Sequence, residues 1–169
     1  FSGVAWEFRS GTQAQKYIQG IPGTENEINV GSEVSSSTAW TRTFTNTQLS
    51  AVRLRLKWPS LFKQEDDGDL VGYSVNYAID LQTDGGTWQT VLNTSVTGKT
   101  TSSYERSHRI DLPQAGSTWT IRLRKITADA NSAKIGDTMT LQSFTEVIDA
   151  KLRYPNTALL YIEFDSSQF

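Results

Sequence analysis

Residues 51–58 read AVRLRLKW, and this stretch decides the fold class. Its larger apolar side chains, Val52, Leu54, Leu56 and Trp58, alternate with Arg and Lys. Successive side chains of a β-strand point to opposite faces, so the apolar set shares one face and the basic set shares the other. The stretch therefore predicts a strand that is buried on one side and solvated on the other.

The same alternation recurs elsewhere in the chain. Trp, Ile and Leu alternate with Thr and Arg over residues 119–124, and aromatic or aliphatic residues alternate with smaller or polar ones, Asp80 among them, over residues 73–81. Both segments predict half-buried strands. Further strands are predicted at Val4–Arg9, Glu27–Val34, Ala39–Thr45, Thr138–Asp149 and Ala158–Asp165.

Short turn sequences separate the strands of the middle third. Asp84-Gly85-Gly86 precedes a strand predicted at Trp88–Val96, and Thr97-Gly98-Lys99 precedes one at Tyr104–Leu112. Such turns favour tight hairpins, so residues 72–112 predict a meander. Eight or more alternating strands, without a convincing amphipathic helix, predict an all-β fold: an antiparallel β-sandwich of the fibronectin or jelly-roll kind, with little helix.

Composition bounds the size and the partners of the molecule. The 169 residues suit one domain, so a single sandwich over residues 1–169 is expected. Sixteen Lys and Arg against eighteen Asp and Glu give a net charge of −2, which favours neither nucleic acid nor an anionic membrane. No apolar run is long enough for a transmembrane helix, so no membrane insertion is expected. Because the chain begins at Phe1 rather than Met, we expect a piece excised from a longer polypeptide.

No residue constellation indicates catalysis. His108 is the one histidine, and Arg106 and Arg109 beside it disfavour its charged form, so it is interpreted as a strand-face residue. The chain has no Cys and no nucleophile-elbow sequence, and we expect no catalytic residue and no cofactor. A hydrolase would need a buried carboxylate pair, and four acidic residues near the end of the chain leave that hypothesis open: Glu146, Asp149, Glu163 and Asp165.

The acidic stretch Glu65–Asp69 has the oxygen-rich composition of a calcium loop but lacks the ligand spacing of an EF-hand. It is interpreted as a solvated turn, with a weak cation site as the alternative, and no metal is expected. The outward rows of Arg and Lys on the strands at 51–58 and 119–124 have two interpretations, namely protection of a sheet edge or a docking face.

Tryptophan supplies candidates both for the core and for binding. Trp58 and Trp119 continue the apolar faces of their strands and are predicted to lie in the core. Trp40 and Trp88 have Ser, Thr and Gly neighbours, so they are the tentative surface-contact residues, as stacking platforms for sugars. The sequence thus also allows a glycan- or receptor-binding module that contacts the bacterial surface.

One resemblance covers most of the chain. The sequence resembles the inserted β-domain in the hub region of the lambda-like phage tail tip attachment proteins J, which are also called host specificity proteins. The stretches that carry the resemblance are Gly68–Gly72, Gly98–Arg106, Arg109–Pro113, Ile148–Ala158 and Ile162–Phe169.

The resemblance implies a structural component of a virion, made in the bacterial cytoplasm and located at the tip of a non-contractile tail. It implies as partners the other domains of the parent protein, which is trimeric in the family, together with neighbouring tail proteins and a host outer-membrane receptor. It implies no catalytic residue and no cofactor. The expected function is support of tip assembly and host adsorption.

Overall fold

The computed structural model describes residues 5–10, 22–113, 117–149 and 158–163, and within these ranges it contains strands and no helix. No helix there could cross a bilayer. The strands are β1 Ala5–Ser10, β2 Pro22–Val34, β3 Trp40–Phe44, β4 Ala51–Trp58, β5 Phe62–Gln64, β6 Leu70–Val71, β7 Tyr73–Thr83, β8 Gln89–Gly98, β9 Tyr104–Asp111, β10 Trp119–Lys125, β11 Ile135–Gly136, β12 Met139–Asp149 and β13 Ala158–Glu163.

Two four-stranded sheets form the sandwich. One has the order β2-β12-β4-β9 and the other β3-β10-β7-β8. The pairings of β4, β7 and β10 with their neighbours are antiparallel. These two antiparallel sheets confirm the predicted fold class. The sheets pack together because alternating side chains give each of them one apolar face to bury.

Aromatic side chains from the two sheets meet in the core. The Trp58 and Tyr77 rings lie 5.4 Å apart, and Phe44 packs edge-on against Phe144 at 5.4 Å. Both Trp58 and Trp119 are fully buried, as the sequence predicts. Burial of such large rings contributes to the hydrophobic stabilisation of the sandwich, together with the aliphatic side chains of the core.

The predicted meander over residues 72–112 is wrong in its second half. β7 and β8 do form a hairpin, in which Tyr73 pairs with Gly98. β9, however, crosses to the opposite sheet and pairs with β4 over its whole length, from Ala51 opposite Asp111 to Trp58 opposite Tyr104. This crossing places Ile110, the buried side chain of β9, in the sheet that contains β4.

Three short strands, which the sequence analysis did not predict, form a separate small sheet in the order β11-β5-β6. Gly136 of β11 lies against Ser60 and Phe62, where a Cβ atom would come within 2.8 Å of the Phe62 ring. The acidic stretch Glu65–Asp69 is the turn between β5 and β6, and the backbone N–H of Glu65 donates to the Asp69 carbonyl at 2.8 Å. A side chain at position 136 would displace Ser60 or Phe62, so the close approach of β11 to β5 favours glycine there.

β1 and β13 form a two-stranded antiparallel ribbon, in which Ala5 is opposite Glu163 and Ser10 is opposite Ala158. The chain forms two compact units, one of them residues 25–147 and the other the residues before and after that range. The ribbon belongs to the second unit. The expectation of one domain over residues 1–169 stays a prediction.

Candidate functional site

The outer face of the sheet β3-β10-β7-β8 carries a buried carboxylate. Asp80 lies on β7 and is only 1% exposed, although the alternation of its strand places it on the polar face. Arg122 and Arg124 of β10 donate to its Oδ2 through their Nε atoms at 2.8 and 2.6 Å, and the Thr90 hydroxyl of β8 donates to Oδ1 at 2.9 Å. Three adjacent strands thus converge on one charge.

The electrostatics of Asp80 follow from this enclosure. Burial would raise its pKa, but hydrogen bonds from Arg124, Arg122 and Thr90 stabilise the charged form and hold the pKa below its usual value. Arg122 and Arg124 remain 31% and 37% exposed. The cluster is therefore a structural ion-pair network whose cations face solvent.

Trp88, a predicted contact residue, belongs to the same surface. It is half-buried, and the Arg122 guanidinium lies 4.2 Å from the centroid of its ring. Cation–π attraction of this kind holds the ring against the sheet. Because Arg122 also bonds Asp80, Trp88 is attached to the ion-pair network.

Trp40, the other predicted contact residue, lies at the sandwich edge. It is half-buried on edge strand β3, opposite Leu123 of β10, and its ring centroid is 5.9 Å from that of Phe144. Neither contact brings Trp40 near Trp88 in the described geometry. The role of both residues as surface contacts stays a prediction.

The basic row on β4 does not protect a sheet edge, because β4 has β12 on one side and β9 on the other. Arg53 forms a bidentate ion pair with Glu25, with N–O distances of 3.0 and 3.1 Å. Arg55 lies 3.4 Å from Glu27. β10 also has a neighbour on each side, so both rows lie on sheet faces.

His108 belongs to a half-buried hydrogen-bond chain rather than to a catalytic relay. Arg106 Nη1 donates to the hydroxyl of buried Tyr77 at 3.2 Å, and that hydroxyl lies 2.7 Å from His108 Nε2. Since Tyr77 accepts from Arg106, its own O–H is free to donate to a neutral imidazole. Burial, followed by the charge of Arg106, lowers the pKa of His108 accordingly.

A polar groove of about 620 Å³ lies beside the end of β10. At its base Lys125 is almost fully buried and donates to Asp129 at 2.8 Å and to Asp137 at 2.9 Å. Burial would lower the pKa of Lys125, but the two carboxylates hold it above its usual value. Asp129 also accepts from the backbone N–H of Ser36, so the cluster fixes the loop after β2.

The described acidic residues that the sequence analysis named lie on several elements of the fold. Asp66 of the acidic turn pairs with Lys134 at 3.1 Å, and within the described residues no group of three or more His, Asp or Glu is arranged to hold a metal ion. Glu146 and Asp149 are on β12. The side chains of Glu163 and Asp165 lie outside the described part of the chain.

The ribbon presents a surface that the sequence analysis did not single out. Trp6 and Phe8 of β1 lie opposite Ile162 and Leu160 of β13, and all four side chains are exposed. In β1, Glu7 separates Trp6 from Phe8, and in β13, Leu160 and Ile162 are two positions apart. That period of two in both strands was the sequence signal from which this surface could have been predicted.

Comparison with known proteins shows the family. The profile of the FNIII-A domain of tip attachment protein J matches residues 24–150. The chain belongs to this family. It is 45% identical over 169 residues to the tip attachment protein J of Escherichia phage SECphi27, and 46% identical over 170 residues to that of Escherichia phage SECphi4.

The match covers all of this chain but only 14% and 15% of those two tip attachment proteins J. The resemblance inferred from the sequence is thereby confirmed. Among solved structures, the receptor binding domain of the spike protein P1 of bacteriophage PM2 is 11% identical, with a TM-score of 0.40 over 83% of this chain and 93% of that one. That likeness is too distant to bear on function.

Proposed function

We propose that this chain is a non-enzymatic structural module of a phage tail tip, and that it supports tip assembly and host adsorption. The observation that carries the proposal is the whole-chain match, at 45% identity, to a small part of a tip attachment protein J. A phage tail tip is accordingly its proposed location in the virion. Its proposed partners are the other domains of that protein and neighbouring tail proteins.

The geometry of the chain supports a structural role. Its polar clusters are internally paired: Asp80 is bonded by Arg122 and Arg124, and Lys125 by Asp129 and Asp137. His108 is bonded to Tyr77. Charges committed to each other in this way stiffen a surface, and they are not poised to transfer protons to a substrate.

The antiparallel pairing of β1 with β13 also supports the proposal. Ala5 lies opposite Glu163, so the first and last described strands of the chain run side by side. A longer polypeptide can accommodate such a module without separating the segments that flank it. This arrangement is compatible with a supporting domain inserted in a tip protein.

Deleting the sandwich from the encoding phage gene tests the proposal. Residues 25–147 are replaced by a flexible Gly/Ser linker of about ten residues, which leaves both ribbon strands in place. We expect fewer intact virions in electron micrographs, or slower adsorption to host cells. The control is Val91→Thr, which changes an exposed side chain of β8. Normal tails with normal adsorption after the deletion would contradict the proposal.

A further inference from the structure

The four apolar side chains of the ribbon form one continuous surface. In the antiparallel register Trp6 is opposite Ile162 and Phe8 is opposite Leu160, and opposed residues point to the same side. Their exposed fractions are 70% for Trp6, 51% for Phe8, 60% for Leu160 and 51% for Ile162. The two cross-strand pairs therefore place all four on one face, which we call the ribbon face.

The ribbon face is comparable in area to the largest apolar patch of a typical soluble monomer. With aromatic side chains of roughly 150–250 Å² each, the four exposed fractions leave on the order of 400 Å² of apolar surface. Patches of this size on soluble proteins are often functional. An isolated two-stranded ribbon is also only marginally stable in water, so the strands themselves need a packing partner.

We propose that the ribbon face packs against an apolar surface of the same tip attachment protein polypeptide, in the part that lies outside this stretch. The inference rests on the proposed function. In the SECphi27 relative the matching stretch is 14% of the protein, which leaves 86% (100 − 14) to supply that surface. Along the sequence, β1 and β13 are the described strands nearest the two ends of the matched stretch.

Covalent attachment favours this occupant over others. A surface tethered close to the ribbon has a high effective concentration, so even a modest apolar contact is populated. A lipid surface would have to associate from solution. The occupant is accordingly an apolar surface without uncompensated charge, since unpaired charges are costly to bury.

Site-specific photo-cross-linking in the full-length protein tests the contact. Phe8→p-benzoylphenylalanine keeps an aromatic side chain in the ribbon face, and the matched control places the same residue at Val91, which is 43% exposed on β8. Benzophenone reacts with C–H groups in contact, so we expect position 8 to form intramolecular adducts about tenfold more efficiently than position 91. Mass spectrometry identifies the adducts.

The site of the adducts decides the outcome. Adducts to residues of the same polypeptide outside this stretch support the proposal. Adducts to Trp6 or Leu160 of another copy, adducts to lipid, or yields equal to those at position 91 would overturn it. Phe8→Thr with Leu160→Thr keeps β-forming residues while removing the apolar surface, and it should raise the hydrogen-exchange rates of β1 and β13 but not of β4.

Different results would contradict the proposed function and the proposed ribbon contact. Normal assembly and adsorption after deletion of residues 25–147 would contradict the structural role while leaving cross-links from position 8 unaffected. Absence of those cross-links, together with lost adsorption after the deletion, would contradict the ribbon contact alone.

Discussion

Asp80 shows how a single residue can differ from the expectation set by its position in a strand. Alternation places it on the polar face, where an aspartate is ordinarily solvated. Arg122 and Arg124 come from a strand more than 40 residues later and close over it. The face of a residue can be read from local sequence, but its enclosure depends on which strand lies beside it.

Asp80→Asn tests the energetic weight of this network. We expect the free energy of unfolding to fall by about 2 kcal/mol, less than the roughly 3–5 kcal/mol that follows loss of one partner from a fully buried pair. The loss is smaller because Arg122 and Arg124, at 31% and 37% exposed, can be partly rehydrated. Urea unfolding measures the change.

The matched control is Asp111→Asn. Asp111 accepts from Arg109 Nε at 2.8 Å, but its side chain is 82% exposed. Exposed ion pairs contribute little, so the change should stay within about 0.5 kcal/mol. Equal losses of unfolding free energy in the two variants would show that the enclosure of Asp80 does not add to stability.

Among the elements, the strands with strict alternation were predictable. β4 coincides with residues 51–58, and β7, β10 and β12 begin within one residue of their predicted positions. β5, β6 and β11 have only two or three residues each, too few to show a period of two. The partner of β9 was not predictable either, because alternation specifies a buried face and not a neighbour.

Gly136→Ala tests the close approach of β11 to β5. The added Cβ would lie within 2.8 Å of the Phe62 ring and also against Ser60, so one of these elements must shift. We expect a loss of about 1–3 kcal/mol in the free energy of unfolding, as for other overpacked sites. Thermal or urea unfolding gives the value.

Gly72→Ala is the control for Gly136→Ala. Its nearest atom to the added Cβ is the Gly98 carbonyl oxygen at 3.6 Å, an ordinary contact. Stability should therefore stay unchanged or rise slightly, because alanine reduces the entropy of the unfolded chain. A loss at position 72 as large as at position 136 would refute the steric explanation.

At the scale of the whole molecule, the titrating groups predict sensitivity to acid in two steps. The pKa of His108 lies below its ordinary value of 6.5, so the unfolded chain takes up the proton first and stability declines as the pH falls below about 6.5. The pKa values of Asp80 and Asp129 lie below 3.8, so their contribution is lost as the pH falls through those lowered values.

Urea unfolding at pH 7.5, 5 and 3, chosen as rough points on either side of the two steps, measures this dependence. His108→Gln should reduce the decline between pH 7.5 and 5, and Asp80→Asn should reduce the decline at lower pH. A wild-type free energy of unfolding that is constant down to pH 3 would contradict both assignments.

The candidate surfaces were less predictable than the fold. Trp88 was identified from its polar neighbours, but its position under Arg122 depends on the pairing of β10 with β7. Trp6 lies in the strand predicted at Val4–Arg9, yet its exposure could not be foreseen because alternation alone does not say whether an apolar face is covered. An apolar strand face becomes a contact surface only if no other element of the chain covers it. The residue pattern of one strand does not show whether it is covered.

The antiparallel register of β1 with β13 has a mechanical consequence. Tension applied through Ala5 and Glu163 acts on neighbouring ends of two paired strands, so it unzips the register from that end, one residue pair at a time. Residues 25–147 lie between these two strands along the chain, so they would bear no force until the ribbon had opened. Under tension applied at these two residues, the ribbon would therefore open at low force while the sandwich stays folded.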